Sequence, residues 1–239
     1  MIHWAAKSAD ESAAELAAPG TWLSTSETAA LARLAFPKRR RDWLLGRLAA
    51  KQAVQSYLAA TGAAVPTLSE ISIERDASGA PVAVVRSGAD LELGVGQLSL
   101  SHSHGVAVAV VADDADARIG IDLERVEPRS AALTDDFFAA SEVDAVAAAG
   151  ADRDLVVTTL WSAKEAVLKS LGIGLGIDTR QVCCDLGPER RPWGRFAVTL
   201  AANVAGGAGG TGFEGYWRRF GGFVVTLAVA ERGAASKEV

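Results

Sequence analysis

Two short stretches place acidic and basic side chains where they could act on a phosphate. In Gly120-Ile121-Asp122-Leu123-Glu124 the alternation of apolar and acidic residues fits a strand, on which residues two apart share a face. Asp122 and Glu124 then point together, and neighbouring carboxylates repel unless a proton or cation lies between them. In Trp161-Ser162-Ala163-Lys164-Glu165-Ala166-Val167-Leu168-Lys169, helical spacing puts Trp161, Glu165 and Lys169 on one side and Leu160, Ala163, Val167 and Leu171 on the other. Asp122, Glu124 and Glu165 together would suit a hard metal ion that also carries phosphate, with Lys169 beside it. Taken singly, each stretch has a plainer reading. One is a solvated strand face, and the other a Glu–Lys pair that contributes only tenths of a kcal/mol.

Cations gather elsewhere. Lys38-Arg39-Arg40-Arg41 opens a segment in which Arg47 and Lys51 stand four apart, on one helical face able to hold a phosphate. Ser101-His102-Ser103-His104-Gly105 offers a hydroxyl, an imidazole and loop amides, a set suited to an anion, or else a plain turn between strands. With three His in the chain and its two Cys adjacent at Cys183-Cys184, a zinc site is disfavoured. The glycines of Gly172-Ile173-Gly174-Leu175-Gly176 follow a helix rather than a strand, and Gly206 to Gly212 lacks the Lys-Ser/Thr ending of a phosphate loop.

The elements that must position these groups read as mixed α and β. Residues 10–18, 27–36, 41–60, 141–149 and 158–171 are expected as helices. Strands are expected at 71–73, 81–85, 98–101, 106–112 and 118–124, and near 180–186, 195–203 and 214–231. At 239 residues, 49% hydrophobic and 22% charged, the chain is globular in composition. A net charge of −5 argues against general nucleic-acid binding. The first residues lack a secretory pattern and no apolar run spans a bilayer, so the expected location is cytoplasmic, without a membrane partner.

The chain also echoes itself. Ala50-Lys51-Gln52-Ala53-Val54 matches Ala163-Lys164-Glu165-Ala166-Val167, and the apolar run ending at Asp113 resembles the run ending at Glu231. The expectation is an α+β fold of two similar halves, 1–115 and 116–239, related by a pseudo-twofold. Gln52 stands where the second half has Glu165, which predicts one metal site per chain.

The order Gly46-Arg47…Lys51, Ser101-His102-Ser103, Gly120-Ile121-Asp122-Leu123-Glu124, Trp161-Ser162-Ala163-Lys164-Glu165…Lys169 resembles the 4′-phosphopantetheinyl transferases over residues 38 to 176. The length is similar to the surfactin-synthetase-type branch, whose members are monomeric pseudo-dimers. The resemblance implies transfer of the phosphopantetheine arm of coenzyme A to a serine of an acyl or peptidyl carrier protein, turning apo into holo carrier. It implies Mg²⁺, or Mn²⁺ in its place, on Asp122, Glu124 and Glu165. Asp122, Glu165 and Lys169 would act in the reaction, Lys169 also touching the pyrophosphate. Arg39, Arg40, Arg47, Lys51, Ser101 and His102 would bind coenzyme A, with the 3′-phosphate on the N-terminal half. Ala80 replaces a basic residue, and Asp42 an Arg or His, of the family pattern. The competing readings are another Mg²⁺-dependent nucleotide transferase or hydrolase, and a non-catalytic carrier-binding homologue.

Overall fold

Pro37 fixes the backbone at the start of the longest helix, and Gly62, at φ 77°, ends it in a left-handed cap that only glycine adopts without strain. The computed structural model in which this helix lies describes residues 1–87, 91–113, 117–189, 192–204 and 212–231. The Gly-rich loop expected at 206–212 falls almost wholly outside them. The chain divides into two units, Met1–Ala115 and Asp116–Val239.

In the first unit, β1 (Ile2–Ser8) leads through α1 (Ala13–Ala17) and α2 (Thr25–Ala32) to the long helix α3 (Pro37–Thr61). Strands β2 (Ile71–Arg75), β3 (Pro81–Ser87), β4 (Leu91–Val95), β5 (Gln97–Ser103) and β6 (Val106–Ala112) follow. They form two antiparallel sheets ordered β1-β6-β5 and β2-β3-β4. Leu45, Ala49, Ala53 and Val54 of α3 meet Ala107, Ala109 and Val111 of β6 in one core. The alanines let helix and sheet backbones approach closely. Three elements had no counterpart in the sequence reading: β1, β4 and, in the second unit, the short helix α4.

The second unit runs β7 (Ala117–Arg125), α4 (Ala131–Phe137), α5 (Ala140–Ala148), α6 (Arg153–Leu171), β8 (Val182–Leu186), β9 (Gly194–Leu200), β10 (Phe213–Phe220) and β11 (Phe223–Glu231). Its sheet is antiparallel, ordered β7-β11-β10-β9-β8. The stretch expected as one strand region at 214–231 is a tight hairpin, turned at Gly221-Gly222 with Gly221 at φ 59°. Helix α6 buries Val157, Leu160, Val167, Leu168 and Leu171, each contributing roughly 1.5–3 kcal/mol.

Each unit is held by a buried lysine of the same design. Lys51 Nζ lies 2.5 Å from Glu27 and donates to the carbonyls of Trp22 and Leu68. Lys164 Nζ lies 2.6 Å from Glu142 and donates to the carbonyls of Thr179 and Val182. An ammonium has three N–H donors, so a carboxylate and two carbonyls account for all of them. Each glutamate returns the service to the backbone. Glu27 accepts from the N–H groups of Ser24 and Ile73, and Glu142 from those of Ala139 and Cys184. Even the aromatic neighbours correspond: Trp22 lies 5.3 Å from Lys51 Nζ, and Phe138 5.6 Å from Lys164 Nζ. The sequence match around Lys51 and Lys164 therefore reflects a repeated packing device.

Candidate active site

The site in the second unit begins with a glycine. A Cβ on Gly120 would fall 2.0 Å from the Ala166 carbonyl oxygen and 2.6 Å from the Ser170 nitrogen. The backbone of α6 thus lies directly on β7, closer than any side chain permits. Residues 162, 166 and 170, each one turn apart, face the strand. Glu165 and Lys169, adjacent on the helix, are carried to the edge of that contact. Two residues beyond Gly120 on the same face of β7 stands Asp122.

Asp122 is only 2% exposed. Its Oδ1 accepts from Lys169 Nζ at 2.6 Å, and its Oδ2 accepts from the Ser162 hydroxyl at 2.8 Å. Ser162 Oγ lies 2.8 Å from Thr226 Oγ1, and Thr226 is the register partner of Asp122 on β11. Lys169 also donates to the Ile121 carbonyl at 3.2 Å. Glu124 is paired with Arg129 at 2.8 Å, while the buried Arg129 Nε finds no hydrogen-bond partner.

The carboxylates act on one another. Burial, then the charge of Asp122, push Glu165 up to about 7; Lys169 pulls the other way, and Glu124 adds to the rise. Glu124 is also raised, first by burial and then by Asp122, against Arg129 and Lys169. Lys169 is therefore a cation felt by all three acids. Among the described residues no three His, Cys, Asp or Glu stand as a ready-made metal cluster, and Lys169 already takes one of the Asp122 oxygens. The donor chemistry nevertheless fits a hard divalent ion: three carboxylates on facing elements, two of them with protonation favoured by burial and then by the charge of Asp122.

The first unit holds the remaining candidates. Arg39 is exposed. Arg40 donates from Nη1 to the Leu31 carbonyl at 2.8 Å, bracing the end of α2. The Arg47 guanidinium stacks 3.5 Å from the Trp43 ring centroid, with Nε 3.8 Å from Glu27. Burial holds its pKa below the ordinary value. Lys51, expected to contact a phosphate, is corrected by the structure. It is 0% exposed and its donors are spent on Glu27 and two carbonyls. The expected strand at 98–101 runs on through Ser103, so His102, expected in the connection, lies in β5 with Ser101, the two opposite Ala107 and Val108. Successive strand residues point to opposite faces, so Ser101 is buried and His102 exposed. The turn itself is His104-Gly105, with φ 48° and 75°.

Ser162, Thr226 and Arg129 were missed in the sequence. Ser162 shares its buried helix face with Thr158 and Ser170, so its hydroxyl carries no distinguishing signal in the sequence. Nothing local marks the other two, which reach the site through strand pairing and through the turn after β7. The internal match also shows what the first unit lacks. Equating Ala112 with Ala230, Val108 corresponds to Thr226, and the strand partners of those two residues are Ala6 and Asp122. By the same count Ser8 stands for Glu124, and the match around Lys51 and Lys164 sets Gln52 against Glu165. None of these three carries a carboxylate.

An antiparallel sheet crossed by one helix, with acids and a lysine gathered at the crossing, defines an α+β domain. Residues 118–226 match the model of the 4′-phosphopantetheinyl transferase superfamily. Solved structures similar to the chain include a holo-[acyl-carrier-protein] synthase from Thermotoga maritima, at 21% identity and TM-score 0.38. That likeness covers 48% of this chain and 63% of the Thermotoga chain. A coenzyme A complex of the Chronobacterium ammoniagenes synthase is 18% identical, with TM-score 0.39, over 48% of this chain and 96% of that one. A holo-ACP-synthase from Plasmodium yoelii is 17% identical, with TM-score 0.37, over 47% and 91%. No curated protein matches the chain.

Proposed function

We propose that this protein transfers the 4′-phosphopantetheine arm of coenzyme A to a serine of an acyl or peptidyl carrier protein, giving the holo carrier and adenosine 3′,5′-bisphosphate. The observation that supports this most directly is the gathering of Asp122, Glu124, Glu165 and Lys169 within the stretch that matches the superfamily. When bound there, Mg²⁺ or Mn²⁺ would neutralise charge on the pyrophosphate, held by Asp122, Glu124 and Glu165. The serine oxygen bonds to the phosphorus that carries the pantetheine arm, and the bond from that phosphorus to the oxygen of the nucleotide phosphate breaks. Glu165, at the edge of the cluster, receives the serine proton, directly or through a water. Lys169 turns from Asp122 toward the phosphate and offsets charge on the leaving group.

In the first unit Arg39 and His102, both exposed, are the candidates for the nucleotide 3′-phosphate, along with the half-buried Arg47 and the buried Ser101. Arg40 contributes only by releasing the Leu31 carbonyl. The reading includes a single-chain enzyme of the two-half branch working in the cytoplasm. Among the described residues no helix is long and apolar enough to cross a membrane.

The test is mass spectrometry of apo carrier proteins from fatty-acid, polyketide and nonribosomal-peptide systems, incubated with the protein, coenzyme A and Mg²⁺. Addition of one phosphopantetheine arm to at least one carrier is expected, and Glu165→Gln should abolish it. Cleavage of coenzyme A with no carrier labelled would favour the hydrolase reading. Carrier binding with transfer indifferent to Glu165→Gln would reject the proposed role of the site.

A further inference from the structure

We infer that Ser162 and Thr226 form a positioning pair that makes Asp122 a one-oxygen ligand, and so tunes the site toward a small octahedral ion over Ca²⁺. This rests on the metal reading given above. A carboxylate only accepts hydrogen bonds, so the 2.8 Å contact between Ser162 Oγ and Asp122 Oδ2 commits the serine proton to Asp122. A hydroxyl has one proton. The 2.8 Å contact between Ser162 and Thr226 must therefore be donated by Thr226. The result is a directed chain from Thr226 through Ser162 to Asp122. Its three members lie on β11, α6 and β7, with exposures of 0%, 0% and 2%.

The chain ties Oδ2 into the core and leaves Oδ1 toward Lys169, the atom a metal would take over. Rotation of the carboxylate to present both oxygens would break the bond to Ser162 and leave a buried hydroxyl without its acceptor. Small Mg²⁺ demands near-octahedral coordination with single oxygens and water, whereas Ca²⁺ accepts two oxygens of one carboxylate and more ligands. Fixing Asp122 from behind thus penalises the larger ion. Ser162 sits one turn before Ala166, whose carbonyl oxygen lies against Gly120, so the contact that brings the helix to the strand also sets this bond.

Calorimetric titration of the full chain with Mg²⁺ and with Ca²⁺, each alone, reads the effect without any transfer assay. Losing such a supporting partner typically costs about 10–100-fold in metal affinity. Ser162→Ala should therefore weaken Mg²⁺ by about that factor while Ca²⁺ changes far less, and Thr226→Val should shift the ratio in the same direction by less. Ser162→Thr and Thr226→Ser, which keep the hydroxyls, should restore the wild-type ratio. If Ser162→Ala does not fold, the ratio in Thr226→Val decides. Equal weakening of both ions, or no change in either, in variants with native circular dichroism would overturn the positioning role. Wild-type protein that takes up neither ion would overturn the metal reading itself, and this inference with it.

Discussion

Replacing Glu165 with glutamine should stabilise the metal-free protein at alkaline pH and leave its stability nearly unchanged in acid. Burial and Asp122 lift the folded-state pKa of Glu165 from 4.5 to about 7, against the pull of Lys169. Between those two values the native state holds the proton more firmly than the unfolded chain does. The contribution of this group to stability is therefore fully present below 4.5, falls as pH rises through the window, and is lost above about 7. At about 1.4 kcal/mol per pH unit the whole interval amounts to about 3 kcal/mol. Residual solvent contact and mobile water reduce this to about 1–3 kcal/mol for a real side chain. Glutamine has no charge to accommodate. Urea melts with a chelator at about pH 4 and about pH 8.5 measure both ends. Saturating Mg²⁺ at about 100 times its Kd should then stabilise the wild type by about 2.7 kcal/mol and the variant by less. A wild-type-to-variant difference that stays constant with pH, or a variant less stable at high pH, would refute the upward shift of Glu165 by burial and by Asp122.

Gly120→Ala should cost at least ~2–3 kcal/mol, because the new methyl meets backbone atoms of α6 at 2.0 Å and 2.6 Å that cannot swing aside. Gly222→Ala, with nothing within 4 Å of its Cβ position, should leave the denaturation midpoint in place. Lys51→Met and Lys164→Met each strand a buried glutamate and should cost about 3–5 kcal/mol by chemical denaturation. Among the molecules that remain folded, Lys51→Met should leave the proposed coenzyme A binding unchanged, since Glu27 and two carbonyls take up the Lys51 donors.

The long helices were legible because their ends carry chemical signals. Gly62 and Gly172 sit as left-handed caps after α3 and α6, and the stripe Leu160, Ala163, Val167 and Leu171 is buried as its spacing demands. Asp122, Glu124, Glu165 and Lys169 were legible because strand and helix periods assign faces directly. The first strand was not, since Ile2-His3-Trp4-Ala5-Ala6-Lys7-Ser8 lacks alternation and becomes a strand through pairing with β6. Lys51 misled because a cation four residues from Arg47 looks the same in sequence whether it faces water or a glutamate. The discriminating partner, Glu27, lies far back along the chain and meets Lys51 only through tertiary packing. Phe137 and Phe138 show the same limit. Phe138 lies 3% exposed, with its ring near Lys164, while Phe137 is 38% exposed and edge-on to Trp161.

The paired lysine locks separate architecture from chemistry by a single step along the helix. Lys51 and Lys164 look inward, where any change would unseat a strand, a cap and a carbonyl at once. Gln52 and Glu165, the next residues, point elsewhere and answer to none of those constraints. A duplicated framework of this kind can hold its shape in both copies while one neighbour keeps an acid and the other gives it up. The asymmetry between the two halves thus needed no remodelling of the fold, only a change of side chain at a position the lock leaves free.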